Sequence, residues 1–204
     1  MSGNELDAGG VIDVAWALLE DGEPREARRT LQELLAEPDL DPLDEADARH
    51  LLGAVLEELG DQAGMVREWL AVLRLDRAAD PPRPMMSRER FTNVAEQALA
   101  ELPAPILERL GNVAVLADDR PTAAMVRDGI DPRLLGLFSG VSMPDQSSLG
   151  GSPFPEVIHL FQRNLEGEAD SQEELREQIR ITVIHETAHY FGLDDEQLSR
   201  LGLG

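Results

Sequence analysis

His185-Glu186-Thr187-Ala188-His189 places two imidazoles four residues apart with a carboxylate directly after the first. If the segment is helical, a spacing of four leaves the two histidines about 40° apart around the axis, close enough to share one ion. Glu186 then sits about 100° off that line, too far round to be an easy third ligand but able to reach a water held by the ion. Two histidines and a carboxylate are costly to bury on one face without a common ligand. The spacing therefore reads as a metal site, with zinc the ion that suits such ligands and Glu186 as general base.

A catalytic zinc needs a third protein ligand and an open position for water. Directly after Gly192 come Leu193, Asp194, Asp195 and Glu196. A sharp turn at the glycine would fold these carboxylates back towards the histidines, and Asp195 is the best placed. The same residues could instead open or cap a short last helix through Leu201, and Asp195 could do both.

The element that must position the motif is a helix from Ser171 to about Phe191. Ser171 is an N-cap, with Glu174 three residues on completing a capping box. Glu173, Glu174 and Glu177 crowd the end where the helix dipole favours negative charge. Leu175, Ile179, Val183, Ile184 and Ala188 supply the face to be buried, and Gly192 provides a left-handed stop. Upstream, Asn112–Ala117, Leu134–Phe138 and Val157–Phe161 read as short strands, the last with Val157, His159 and Phe161 on one face. The Gly- and Pro-rich stretch 140–155 is a loop, Glu166–Asp170 an acidic turn, and Arg88–Leu102 a helix stopped by Pro103. His159 could face the cleft or simply pack on its strand. Tyr190 reads as packing rather than as an oxyanion donor, and His50 has no part in the site.

Composition narrows the chemistry. All 18 cationic side chains are Arg, against 40 acids, giving a formal charge of −22. With no Lys and no Cys, Schiff-base, P-loop lysine and thiolate mechanisms are excluded. The negative charge disfavours nucleic acid and anionic membrane surfaces as partners. No leader-like start and no membrane-length apolar run is present, so the expected compartment is the cytoplasm.

Three prolines within Pro81–Pro84 break the chain into residues 1–80, a linker at 81–87, and residues 88–204. The first part reads as two helix pairs turning at Gly22 and Gly60, with Leu31 and Trp69 equivalent at an offset of 38. It looks like tetratricopeptide repeats with an acidic insertion, or an ordinary helical bundle; in either case it is a surface for packing or for a protein partner.

Taken together, His185-Glu186-x-x-His189-x-x-Gly192-x-x-Asp195 resembles the small bacterial zincin-like metallopeptidase family, a minimal zincin of the HExxHxxGxxD type. Leu134-Leu135-Gly136-Leu137-Phe138-Ser139-Gly140 and the helix with Phe91 and Ala98-Leu99 extend the resemblance over about residues 88–198. The resemblance implies an α+β fold, a minimal zincin-like domain with a small sheet and an active-site helix, here preceded by the all-α repeat-like part. It also implies Zn2+ held by His185, His189 and Asp195, with Glu186 as the catalytic base in hydrolysis of a peptide or protein substrate. No methionine follows the motif to form the Met-containing turn of metzincin-like relatives. The alternative is a catalytically weak or inactive zinc-binding module for protein interaction.

Overall fold

The computed structural model describes residues 6–110, 113–140 and 156–191. The chain forms two compact units: residues 1–81 with 121–132, and residues 82–120 with 133–204.

The first unit is built from α1 (Ala8–Glu20), α2 (Pro24–Leu34), α3 (Pro42–Glu58) and α4 (Gln62–Ala79). Gly22 and Gly60 take positive φ, 76° and 75°, at the two turns where a side chain would be strained. Asp7, Asp41 and Asp61 cap α1, α3 and α4 by accepting backbone N–H groups at their starts. Leu31 and Trp69 are both buried, whereas Trp16 is 53% exposed. Gly53 lets the Trp69 indole close on α3: a Cβ there would lie 2.0 Å from its Nε1. That indole donates to the His50 carbonyl at 3.3 Å. Glu68 is buried between Arg49, at 2.6 Å, and Arg67, at 3.1 Å. Burial works against the Arg49 charge, but hydrogen bonds to Glu45 and Glu68 outweigh it and raise its pKa.

Residues 121–132 lie between two strands in sequence yet pack with the helical unit. Their short helix α7 (Ala123–Arg127), capped by Thr122, puts Val126 fully into that core. His50, with no role in the sequence reading, bonds through Nε2 to both Asp131 carboxylate oxygens at 2.9 Å.

The second unit contains α5 (Arg88–Ala100), α6 (Ala104–Leu110), β1 (Ala114–Asp118), β2 (Gly136–Ser139), β3 (Val157–Phe161), α8 (Gln162–Gly167) and α9 (Gln172–Tyr190). The sheet order is β1-β3-β2, with β1 parallel and β2 antiparallel to β3. Ile158 and Leu160 of β3 are fully buried in one cluster with Phe91 and Ala95 of α5 and Leu175, Ile179 and Val183 of α9. Burying each large apolar side chain stabilises the packing by about 1.5–3 kcal/mol. The fold is thus α+β, as expected: an all-α unit and a unit with a small sheet backed by the motif helix. The acidic turn expected at Glu166–Asp170 is non-helical at residues 168–170, but its first two residues close α8, and Glu166 there is not solvated. Its Oε1 accepts from Met85 N at 2.9 Å and Gln162 Nε2 at 2.8 Å, tying the start of the unit to α8. Among the described residues no helix is long and apolar enough to cross a membrane.

Candidate metal centre

Helix α9 begins as its sequence dictates, with Ser171 Oγ accepting from Glu174 N at 3.1 Å. The return bond differs from a capping box: the Glu174 carboxylate accepts from Asp170 N at 2.9 Å, one residue earlier than Ser171. On the exposed face Arg180 donates to Glu177, which holds that carboxyl below its ordinary pKa. Leu175, Ile179 and Val183 bury the opposite stripe and fix the rotation of the helix.

That rotation turns His185 and His189 towards each other. Their Nε2 atoms are 2.9 Å apart, with ring centroids at 4.6 Å and planes at 84°. Both rings are partly exposed, whereas Glu186 is buried at 6% exposure. Glu186 points to β2, where its Oε2 accepts from Phe138 N at 2.8 Å.

The sheet register explains why that N–H is available. Phe161 N donates to Leu135 O at 2.9 Å, so the odd residues of β2 bond inward to β3. Phe138 alternates with them and directs its N–H to the outer edge of the strand. A charge-assisted bond between a buried carboxylate and a rigid strand fixes the orientation of that carboxylate.

Gly136 makes the approach of helix to strand feasible. A Cβ there would lie 2.6 Å from Thr182 Cγ2, 3.0 Å from Glu186 Cγ and 3.1 Å from Glu186 Oε1. Neither Gly136 nor the Phe138 N–H is among the site residues drawn from the sequence. The signal was a glycine inside an apolar strand, which marks close approach of another group.

The remaining candidates separate. Tyr190 is buried edge-on against Phe138 at 5.2 Å and against Phe191 at 5.0 Å. His159 pairs with Asp118 at 3.0 Å. Its neighbours Ile158 and Leu160 face the core beneath α9, so strand alternation puts His159 on the other face of the sheet, away from the motif. Asp195, with Gly192, Asp194 and Glu196, lies outside the described residues. Among the described residues no three His, Asp or Glu side chains form a metal-holding group.

The donor set can be tested against the ion the motif implies. Two imidazole nitrogens that converge to 2.9 Å can bond to each other only if one ring donates and the other accepts. The same convergence suits joint ligation, since neutral imidazoles bind zinc at about 2.0–2.1 Å. The pair is therefore compatible with zinc and supplies half of a four-coordinate shell.

No curated protein matches the chain. Residues 121–132, although packed with the helical unit, fall within the stretch that a family model covers, and α5 falls before it. Residues 110–204, which carry all three strands and both histidines of the motif, match the zincin-like metallopeptidase family.

Proposed function

We propose that the protein is a zinc-dependent peptidase that hydrolyses peptide bonds at the edge of β2, with His185, His189 and Asp195 as ligands and Glu186 as general base. The observation that carries this reading is the pairing of convergent imidazoles with a separate carboxylate held by Phe138 N–H. A purely structural zinc site has no use for a buried carboxylate placed beside its ligands. Zinc, when bound, supplies a Lewis acid that polarises the scissile carbonyl and lowers the pKa of water to about 7.

The chain's own residues do the rest. His185 and His189 hold their rings on one face of α9, so both Nε2 nitrogens converge on one point. Glu186 takes a proton from the attacking water as its oxygen bonds to the carbonyl carbon. The same carboxyl then gives that proton to the amine nitrogen as the C–N bond breaks, and so returns to its starting state. Phe138 N–H keeps the carboxylate aimed during both transfers.

Elemental analysis of the purified protein, joined to cleavage of a peptide library before and after chelation, tests the reading. One zinc per chain is expected, with cleavage abolished by the chelator and restored by zinc. His185→Ala and His189→Ala should each lose the metal, and Asp195→Ala should weaken its retention. Full zinc retention by Asp195→Ala would remove that residue from the shell. One zinc with no cleavage of any library member would favour the interaction-module alternative instead.

A further inference from the structure

In the helical unit, α4 and α7 enclose a groove of about 600 Å³. Its floor is apolar, with Val66, Leu70 and Leu73, and its rim carries Arg67, Arg74, Arg77 and Arg127. No carboxylate is among the described residues that line it. This is against the composition: acids outnumber arginines by 40 to 18 over the chain, and by 20 to 7 in residues 1–80, yet every charged side chain here is cationic.

One of the four rim cations has a carboxylate partner and one is held by a backbone carbonyl. Glu68 accepts from Arg67 at 3.1 Å through one oxygen and from Arg49 at 2.6 Å through the other, so Arg67 shares its carboxylate. Arg77 donates to the Pro121 carbonyl at 3.4 Å, which secures the excursion rather than a carboxylate. Arg74 and Arg127 are exposed and have no hydrogen bond or ion pair among the described residues. Among the described residues, Arg74 and Arg127 thus stand at the edge of an apolar trough with no carboxylate beside them, which a bound anion would supply. Arg is also the cation best suited to bidentate recognition of carboxylates.

We propose that this groove binds an acidic peptide segment with apolar side chains at helical spacing, laid along α4 with its carboxylates on the arginine rim. The occupant is a segment of another protein. The proposal is carried by the helical unit alone and does not depend on the zinc site. The net charge of −22 repels such a partner at long range, so recognition relies on contacts inside the screening distance of about 8–10 Å.

The test uses the full chain and a peptide array. Its probes are three-turn peptides with Leu at every third or fourth position, and with Glu, Gln or Lys filling all other positions. The intact protein is expected to bind the Glu series over the Gln series and to leave the Lys series unbound. Arg74→Glu combined with Arg127→Glu should weaken binding of the Glu series about tenfold or more and capture the Lys series. Both residues are exposed, so thermal midpoint and zinc content should stay unchanged in that variant. No binding of the Glu series, no preference for it over the Lys series, or a preference that survives the double reversal overturns the proposal. So does a dimer in sedimentation that the reversal dissociates, which assigns the groove to a second copy. Binding seen only when Asp194→Asn and Glu196→Gln are introduced assigns the groove to residues 192–204 and overturns it equally.

Discussion

The proposed chemistry turns, at the residue scale, on one carboxylate and the backbone that holds it. His185, Glu186 and His189 were legible because helix geometry alone converts their spacing into a shared face. The Phe138 N–H was not, since the contact joins residues 48 apart and depends on which way a strand's odd and even N–H groups point. Gly136 lies between these cases. A lone glycine in an apolar strand signals close approach, but only the fold shows that Thr182 and Glu186 are what approach. Gly136→Ala should therefore overpack the junction of β2 and α9, costing about 1–3 kcal/mol of stability. Because the added methyl falls 3.1 Å from Glu186 Oε1, peptide cleavage should fall more than the thermal midpoint implies. Paired measurements of cleavage rate and thermal midpoint check this; an unchanged rate would show that Glu186 is not positioned by this contact.

Among the elements, the long capped helices and β3 matched their reading, and the shortest helices were not foreseen. α5 and α9 begin at serine caps and carry buried stripes, so their extents follow from side chains within the helix itself. α6, α7 and α8 have only 7, 5 and 6 residues, too short for a period to stand out. Glu166 illustrates the cause: its acidity suggested a solvated turn, yet Met85 N–H and Gln162 draw it inside. Ser171→Ala removes the cap of the motif helix and should cost about 1 kcal/mol, lowering the thermal midpoint by a few degrees. Zinc content should be unchanged, because the cap is more than three turns from His185. A drop in zinc content equal to that of a histidine variant would contradict the separation of cap from site.

Across the whole molecule, the unexpected feature is that residues 121–132 leave the sheet's sequence and join the helical unit. Nothing local announced this. Val126 is one apolar residue in a short segment, and Asp131 is one acid among 40. Val126→Asp would place a carboxylate in a fully buried position and should destabilise the helical unit by several kcal/mol. Hydrogen exchange should then speed up at 121–132 and in α3 and α4 together; acceleration confined to 121–132 would show that the segment rests on that core without supporting it. The charge of −22 also acquires internal structure, since an arginine-rimmed groove occurs within an acidic unit. The central claim, that the motif is a working hydrolytic site, is tested most directly by the peptide-cleavage rate of Glu186→Gln against the unaltered protein at matched zinc content. A loss of about 10²-fold or more with zinc retained is expected; equal rates at equal zinc would contradict that claim.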